Sequence, residues 1–498
     1  MGQSADIYFE DHQESGDIGR QAVRGGIVSV AMQYGNGVLQ ILAAVILARL
    51  LTPADFGLVA LITVVTSFAP LLIDFGLGDA TTQRKTITPS QVSSLFWLSS
   101  GVGLAVAVVL AAASPLLAAL YRQPALQPIA LCTGITFVLW GASNQHMALL
   151  RRTMQFGRIA RIQLLGTLGG IVVAVILAIA GWGYWALVAR PIANAACVLV
   201  GAWLGCRWRP GPPAFDPEAK SMVSFGLHVV GFSVTYNVAK SVDRIALGLF
   251  YPPAVVGYYQ NATTLYESSI FQVLAQVHTV GSAALSKLQS NVVALRQKYA
   301  AALSMLAFFV MPAAAILSVT AEDVTVILLG EKWRASGSLL RIIALRGIPQ
   351  VIESSQGWLH LSIGRADRWR NWGVVSLAVQ IVAVVAGLRF GATGVAVACV
   401  IASGLIAIPS INYAGRPIGV GSALVIQSVG PQLIGAISAA AGGAWLQMTL
   451  LSHSPSLLRI VLSASVCAGI YLTVVVGLFR RTEPLRFGRS VLQGRLRR

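Results

Sequence analysis

The segments Leu51-Thr-Pro-Ala-Asp-Phe-Gly-Leu58 and Tyr251-Pro-Pro-Ala-Val-Val-Gly-Tyr258 each join two long apolar blocks, and each carries a proline followed four residues later by a glycine. They lie 200 residues apart. A second pair, Gly181-Trp-Gly-Tyr-Trp-Ala-Leu-Val-Ala189 and Gly391-Ala-Thr-Gly-Val-Ala-Val-Ala-Cys399, follows in the same order at an offset of 210 residues. Two matches in one order and at nearly one offset indicate an internal duplication, which is common among membrane carriers.

The composition is typical of a protein embedded in lipid. Hydrophobic residues make up 56% of the 498 residues and charged residues only 11%, whereas a soluble protein carries about 25% charged residues. The apolar blocks, with their flanks, reach the roughly 20 residues that span a bilayer core. We therefore predict an all-α integral membrane protein of about fourteen transmembrane helices, with two related sets of six followed by two more. The predicted spans are residues 27–48, 56–78, 92–120, 128–150, 162–180, 182–205, 222–249, 255–286, 299–319, 337–362, 372–390, 391–411, 425–450 and 457–479.

The distribution of lysine and arginine between the spans predicts the orientation of the chain. Alternate connections, together with the C-terminal tail, hold 25 of these cations, and the opposite connections hold 6. Because cytoplasmic loops are enriched in lysine and arginine, both termini are expected in the cytoplasm. The scattered cations also argue against nucleic acid as a partner, despite the net charge of +18, since a nucleic-acid footprint is a concentrated basic face on a polar domain.

The predicted organisation leaves no room for a globular domain outside the membrane, because the connections are short. The first 26 residues are polar and lack the apolar region of a signal peptide, so the first span is expected to act as the insertion signal. The basic tail is expected to contact anionic lipid. The predicted limits are 1–26 for a cytoplasmic N-terminal segment, 27–206 for the first lobe, 207–221 for a cytoplasmic linker, 222–411 for the second lobe, 412–479 for the two extra helices and 480–498 for the tail.

Common motifs of catalysis and nucleotide hydrolysis are missing from the sequence. There is no GxxxxGK[ST], no HExxH and no GxSxG, so neither a P-loop nor a familiar hydrolase site is indicated. The five cysteines lie in or beside apolar blocks without metal-ligand spacing and are interpreted as packing residues. We expect no catalytic residue, no metal and no cofactor.

Two predicted spans carry polar residues on one face. The stripes correspond at the 200-residue offset and follow an i, i+4, i+7 spacing; they are Gln33, Gly37 and Gln40 in the first span, and Ser233, Asn237 and Lys240 in the seventh. Because a polar stripe cannot favourably face lipid tails, we expect the stripes to face each other or a shared water-filled cavity. The alternative is that their amides form hydrogen bonds between packed helices.

Ionisable residues inside the spans are further candidate site residues, because a charge in lipid is costly. Lys240, Asp243 and Arg244 share one side of the seventh span, where one net positive charge would suit an anionic headgroup; the alternative is a structural charge cluster. Arginine in particular binds phosphate oxygens through two N–H groups. The candidate substrate-binding residues are Gln33, Asn36, Gln40, Asn237, Lys240, Arg244, Arg190, Arg341 and Arg346, and the candidates for coupling to an ion or proton are Asp243 and Glu353.

Six short motifs follow one another along the chain. They are Ala48-Arg-Leu-Leu-Thr-Pro-Ala-Asp-Phe-Gly-Leu58, Asp74-Phe-Gly-Leu77, Gly183-Tyr-Trp-Ala-Leu-Val188, Val242-Asp-Arg-Ile245, Val256-Gly-Tyr-Tyr-Gln-Asn-Ala262 and Leu328-Leu-Gly-Glu-Lys-Trp333. In kind and order these motifs resemble the polysaccharide transporter (Wzx-type flippase) family of the multidrug/oligosaccharidyl-lipid/polysaccharide exporter superfamily. The resemblance covers residues 20–415, and the last two spans fit the fourteen-helix members of that family.

This resemblance implies two six-helix lobes that form a V around a central cavity and work by alternating access. It implies that the substrate is an oligosaccharide linked to undecaprenyl pyrophosphate, moved from the cytoplasmic to the periplasmic leaflet of the bacterial inner membrane for lipopolysaccharide or exopolysaccharide biosynthesis. Coupling to an H+ or Na+ gradient is implied as well, and the expected partners are membrane lipids, a polysaccharide polymerase and glycosyltransferases. The rival interpretations are a multidrug exporter or a peptidoglycan-precursor flippase of the same superfamily and, from another class, a membrane glycan polymerase or ligase.

Overall fold

The structure is a computed structural model that describes residues 18–67, 69–74, 78, 81–82, 87–212, 241–271, 274, 285 and 291–480. All regular secondary structure in these residues is helical, as expected in lipid, where a helix satisfies its own backbone polar groups. In chain order the helices are α1 Ile18–Leu50, α2 Pro53–Thr66, α3 Ala69–Asp74, α4 Pro89–Leu120, α5 Leu126–Arg152, α6 Phe156–Ile179, α7 Tyr184–Gly205, α8 241–250, α9 Pro253–Tyr266, α10 Val292–Leu329, α11 Arg334–Leu345, α12 Gly347–Ser362, α13 Ala366–Leu388, α14 Gly391–Gly415, α15 Ser422–Thr449 and α16 Ser456–Leu472.

Nine helices in the described part of the chain are long and apolar enough to cross a membrane, namely α4 to α7, α10 and α13 to α16. Each coincides with a predicted span. Large apolar side chains on their outer faces are exposed, for example Leu165 at 63% and Val382 at 67%, which suits a surface that contacts lipid rather than water. The prediction of an all-α, multi-pass membrane protein is confirmed, and the count of fourteen spans stays a prediction.

Two predicted spans are each divided into two helices. The span predicted at 56–78 contains α2 and α3, and the span predicted at 337–362 contains α11 and α12. Pro70 lies in the first turn of α3 and Pro349 in the first turn of α12. Because proline lacks the N–H that would continue the preceding helix, each break falls just before it.

The first matched pair of segments has the same local structure. α1 and α8 end at equivalent residues, and both α2 and α9 begin at a proline and run for 14 residues. The amide N–H of Leu51 donates to the carbonyl of Leu47, and that of Tyr251 donates to the carbonyl of Leu247, each at 2.8 Å. The repeat seen in the sequence therefore extends to the backbone hydrogen bonds of these turns.

The turns related by 210 residues also share their geometry. Gly181 and Gly391, at the turns leading into α7 and α14, have φ values of +79° and +73°. Met154 and Gly364, which end the turns after α5 and α12, have φ values of +51° and +67°. Glycine adopts the left-handed conformation without strain, whereas a residue with a side chain loses about 1–2 kcal/mol. The contacts of the turn therefore have to stabilise Met154 in this conformation.

The chain divides into two compact units, Met1–Gly257 and Tyr258–Arg498. In the first unit the main helix contacts are α4 with α5, α6 with α7, and α5 with α7; in the second they are α10 with α15, α10 with α11, and α13 with α14. The domain limits expected from the sequence stay predictions.

Small residues bring α4 and α5 into backbone contact. A methyl group at Gly141 would lie 2.5 Å from the carbonyl oxygen of Ser99, and the Ser99 hydroxyl donates to the Gly141 carbonyl at 3.1 Å. The hydrophobic effect does not favour contact between helices in lipid, so helices associate there through van der Waals packing and hydrogen bonds, which this close approach allows.

The last two helices pack on α10 through polar contacts. The Tyr471 hydroxyl of α16 donates to the Phe308 carbonyl at 3.1 Å, and the side chains of Gln432 on α15 and Ser304 on α10 lie 2.8 Å apart. Buried polar pairs of this type fix the rotation of packed membrane helices. α15 and α16 are therefore integral parts of the second unit.

Candidate functional site

Arg190 lies inside α7, and its guanidinium donates a hydrogen bond to the side-chain oxygen of Gln40 on α1. One turn earlier on α1, Asn36 has a buried side-chain oxygen with no hydrogen-bond partner among the described residues. Gln33, one further turn away, is exposed. The structure thus brings Arg190 and Gln40 into contact and places Asn36 beside them along α1.

The backbone of α7 is fixed at Arg190. Pro191 follows it and locks φ, and α6 approaches so closely that a methyl group at Gly170 would lie 2.7 Å from the Arg190 carbonyl oxygen. The Arg190 guanidinium is therefore held on a rigid segment, which is what precise recognition of an anion requires.

The Arg190 side chain keeps its positive charge. Its partner Gln40 is a neutral amide, and no carboxylate lies within ion-pair distance of Arg190 in the described part of the chain. A charged group in a membrane-spanning helix is costly unless it faces water or an opposite charge. The arrangement therefore suits an anionic group such as a phosphate, which arginine binds with two N–H groups.

Asp243 and Arg244 form an ion pair on α8. Arg244 Nε lies 3.6 Å from Asp243 Oδ1, and the two side chains are only 13% and 7% exposed. The backbone N–H of Arg244 donates to the same oxygen at 2.8 Å, and Arg244 Nη2 donates to the Ser241 hydroxyl at 3.4 Å. Asp243 therefore offsets the charge of Arg244. The candidates Asn237 and Lys240 lie outside the described residues.

Arg346, between α11 and α12, forms a hydrogen bond to α14. Arg346 Nε donates to the Ser403 hydroxyl of α14 at 3.2 Å. Glu353 lies on α12, close enough to Arg346 for the two charges to interact. The Glu353 oxygen Oε1 is buried and has no hydrogen-bond partner among the described residues.

Tyr266, at the end of α9, extends this group. Its hydroxyl donates to the side-chain oxygen of Gln350, and it lies close enough to Arg346 and Glu353 to interact with their charges. We name this set the α12 cluster; its members are Tyr266, Arg346, Gln350, Glu353 and Ser403.

Arg341 differs from Arg190 because it has an acidic partner. Its Nη2 lies 3.2 Å from Glu322 Oε1 of α10, and the two side chains are 45% and 28% exposed. The next residue of α10, Asp323, is buried and pairs with Arg459 of α16. Adjacent carboxylates on α10 therefore hold two different helices, and Arg341 carries little net charge toward a ligand.

The motif at Ala48–Leu58 meets the motif at Gly183–Val188 inside the first unit. Asp55 forms a capping box with Thr52 at the start of α2. A methyl group at Gly183, where φ is +52°, would lie 3.0 Å from an Asp55 carboxylate oxygen. These motif residues thus shape the turns that precede α2 and α7.

The motif at Leu328–Trp333 forms a tight turn in the second unit. Trp333 is fully buried and meets the Tyr258 ring edge to face at 6.0 Å. Hydrogen bonds from the Arg334 guanidinium, at 2.6 and 3.0 Å, hold the pKa of the exposed Glu331 carboxyl below its usual range. This motif is therefore structural.

Several residues of these groups were not found by sequence reasoning, namely Tyr266, Glu322, Asp323, Gln350, Ser403 and Arg459. Nothing in the sequence distinguishes Ser403, because serine is common in apolar helices. Gln350 and Glu353 are spaced i, i+3 on one helix face, and that spacing could have revealed the polar face of α12. No group of three metal-ligating side chains occurs in the described part of the chain.

The sequence pattern of the family described as "Polysaccharide biosynthesis protein" matches residues 46–338, a range that contains all six motifs, Arg190 and both turns of the 200-residue repeat. The chain belongs to this family. The predicted family resemblance is thereby confirmed.

Similar proteins agree with that assignment. The lipopolysaccharide biosynthesis protein WzxC of Escherichia coli (strain K12) is 24% identical over 375 residues, which cover 74% of this chain and 75% of that one. The teichuronic acid biosynthesis protein TuaB of Bacillus subtilis (strain 168) is 26% identical over 341 residues, covering 67% and 70%. The inward closed structure of the lipid II flippase MurJ shares the fold, with a TM-score of 0.71 at 14% identity, covering 91% of this chain and 99% of that one.

Proposed function

We propose that the protein moves an oligosaccharide linked to a polyprenyl pyrophosphate from the cytoplasmic to the periplasmic leaflet of the bacterial inner membrane. It works by alternating access, with both termini in the cytoplasm, and supplies lipopolysaccharide or exopolysaccharide biosynthesis. Family membership, the roles of the relatives in polysaccharide biosynthesis and the 25 to 6 distribution of cations support the proposal. A polysaccharide polymerase and glycosyltransferases are its expected partners.

The contact between Arg190 and Gln40 is the observation that carries the proposal. A lipid-linked sugar cannot cross a bilayer unaided, because its pyrophosphate and hydroxyl groups would lose their hydration. A guanidinium that retains its charge replaces water at a phosphate. The amides of Gln40 and Asn36, which both donate and accept hydrogen bonds, can replace water at sugar hydroxyls.

The transport cycle needs no bond to form or break, so we assign no catalytic residue. Binding has to stay modest, because a substrate that is held too tightly is not released into the second leaflet. Energy would come from an H+ or Na+ gradient, with Asp243 and Glu353 as the coupling candidates.

The positive charge of Arg190 disfavours the multidrug-exporter alternative, because a cationic drug would be repelled by an arginine whose hydrogen-bond partner is the neutral Gln40. A peptidoglycan precursor shares the pyrophosphate group, so its transport has to be tested directly. A polymerase or ligase would release product rather than move an intact lipid.

The proposal is tested with the full chain in vesicles that contain a fluorescent undecaprenyl-pyrophosphate oligosaccharide. The expected result is a time-dependent rise in the fraction of label that a membrane-impermeant quencher reaches, and its reduction by Arg190→Gln. Parallel vesicles contain labelled lipid II or ethidium. Movement of lipid II or ethidium in place of the oligosaccharide would overturn the proposal, as would release of free glycan.

A further inference from the structure

Four helix ends meet around one apolar core in the first unit. The core contains Leu95 near the start of α4, Leu150 near the end of α5, Ile159 and Ile162 near the start of α6, and Trp208 just after the end of α7. Four arginines are sequence neighbours of these core residues, so they lie around the edge of the core. We name this set the basic rim; its members are Arg151, Arg158, Arg161 and Arg209.

The helices that form the basic rim contain no carboxylate. Residues 80–215 include ten lysines and arginines but no aspartate or glutamate. Asp55 of α2 lies beside Gly183 at the start of α7, and α7 has 22 residues, which is a length of about 33 Å. Asp55 therefore lies near the opposite end of α7 from the rim, and α4 to α7 supply no charge that would offset it.

Two arginines of the rim are held on the C-terminal end of α7. Arg158 Nη1 donates to the Gly205 carbonyl at 2.9 Å. Arg209 Nη1 donates to the carbonyls of Trp203 and Cys206 at 2.9 and 3.1 Å. The last carbonyl groups of a helix carry partial negative charge, so they stabilise a cation. The two guanidinium groups are therefore fixed on the same helical turn.

The segment that carries Arg209 is fixed against α4. Trp97 Nε1 donates to the Gly211 carbonyl at 2.9 Å, and the Gly211 N–H donates to the Ser93 hydroxyl at 3.0 Å. The Arg209 guanidinium also lies over the Trp203 ring, 5.4 Å from its centre, in a cation–π contact. Because Arg209 is already ordered, a ligand would bind it at a lower entropic cost.

Both guanidinium groups keep N–H groups for a ligand. Arg158 and Arg209 are exposed, and their hydrogen bonds use Nη1 alone, so Nε and Nη2 have no hydrogen-bond partner among the described residues. Arg365 uses the same two nitrogens to bind both oxygens of Asp367. A phosphate is bound in the same way. Two such groups on one helical turn suit a headgroup with two phosphates.

The surroundings of the basic rim indicate a membrane lipid. Trp97 and Leu204 beside it are 45% and 76% exposed, and tryptophan is enriched at membrane interfaces. Basic pockets between transmembrane helices bind anionic headgroups. Arg190 precedes Gly205 by 15 residues, about 22 Å along α7, so the rim is separate from the contact with Gln40. We propose that the basic rim binds an anionic phospholipid with two phosphate groups, of the cardiolipin type, in addition to the proposed transport function and independently of it.

The equivalent end of the second unit provides an internal comparison. Arg368, which corresponds to Arg158 at the 210-residue offset, donates to the Tyr413 carbonyl of α14. Its guanidinium lies over the Tyr413 ring, 4.3 Å from the centre, and the neighbouring Arg365 is paired with Asp367. These arginines are engaged by internal partners, so the lipid site is expected in the first unit.

The test titrates the detergent-purified full-length protein with cardiolipin and counts bound lipid by native mass spectrometry. The wild-type protein is expected to bind cardiolipin more tightly than phosphatidylglycerol, which has one phosphate. Arg158→Gln combined with Arg209→Gln should weaken cardiolipin binding about tenfold or more. It should also abolish the rise in apparent Tm that bound cardiolipin causes.

A lysine variant separates lipid recognition from a structural role of the two arginines. Arg158→Lys combined with Arg209→Lys keeps the charge and a donor for the α7 carbonyls, so its apparent Tm without lipid should equal that of the wild type. It should still bind cardiolipin, but with a smaller preference over phosphatidylglycerol, because lysine cannot bind two phosphate oxygens at once. A wild-type preference in this variant would contradict the inference.

The matched control removes two exposed arginines at the equivalent end of the second unit. Arg365→Gln combined with Arg416→Gln should keep wild-type cardiolipin binding. An equal loss in the control would show that net charge alone attracts the lipid, and unchanged binding in the glutamine variant of Arg158 and Arg209 would remove the site; either result overturns the inference. Displacement of cardiolipin by equimolar undecaprenyl diphosphate would also overturn it, because the rim would then belong to the transported substrate. The proposed function is read separately, from oligosaccharide movement in vesicles.

Discussion

Gly57 and Gly257 face each other's proline in a reciprocal backbone contact within the first compact unit. A methyl group at Gly57 would overlap the carbonyl group of Pro253, and a methyl group at Gly257 would overlap the carbonyl group of Pro53. The methyl group at Gly257 would also lie 3.1 Å from the Gly57 nitrogen. The two joints that reveal the duplication in the sequence therefore pack directly on one another, and the absence of side chains allows it.

This contact predicts that Gly57→Ala and Gly257→Ala each destabilise the protein by about 1–3 kcal/mol, because backbone rather than a flexible side chain has to move. The measurement is the apparent Tm of the detergent-purified protein. Gly101→Ala on α4 is the control, since no atom lies within 4 Å of its added methyl group and alanine favours a helix. Equal melting of all three variants would contradict the close contact.

A second prediction uses the two turns related by 210 residues. Gly364→Ala places a side chain at a φ of +67° and should cost about 1–2 kcal/mol. Met154→Gly relieves the same conformation at the equivalent turn, where φ is +51° and the methionine is 41% exposed, and should not lower the apparent Tm. The opposite order of stabilities would show that the two turns are not equivalent.

The sequence predicts the fold well because the two patterns that indicate it each lie within one short segment of the chain. Apolar block length indicates the spans, and a proline four residues before a glycine indicates the joints, so the starts of α2 and α9 were expected within a few residues of where they lie. The breaks before Pro70 and Pro349 were missed. Each proline removes one backbone hydrogen bond of the helix, but the run of apolar residues in the sequence continues across the break.

The sequence predicts much less of the candidate site. Gln40 and Arg190 were each expected to be functional, yet their contact joins residues 150 positions apart. Ser403 and Arg346 are 57 positions apart. Such contacts depend on the rotation of packed helices about their axes, which a single sequence does not fix.

A third prediction concerns Arg190. Arg190→Gln removes the charge but keeps a hydrogen-bonding side chain, and it should slow transport of the lipid-linked oligosaccharide by about tenfold or more, the value of one charged hydrogen bond. Arg190→Lys should recover part of the transport rate, because lysine restores the positive charge but lacks the planar guanidinium group that binds two phosphate oxygens at once. The control is Arg389→Gln, at an exposed residue after α13. Transport by Arg190→Gln at the wild-type rate would remove Arg190 from the substrate path.

The fourth prediction concerns the ion pair between Asp323 on α10 and Arg459 on α16, whose side chains are 5% and 25% exposed. Arg459→Leu leaves a buried carboxylate without its partner and should cost about 3–5 kcal/mol, whereas Asp323→Asn combined with Arg459→Gln should restore most of the stability because no buried charge remains. The apparent Tm measures both variants. Arg365→Ala, which breaks a pair that is about half exposed on each side, should leave the Tm unchanged because exposed pairs contribute little. If the apparent Tm of Arg459→Leu equals that of the wild-type protein, the ion pair does not contribute to holding α16 on α10.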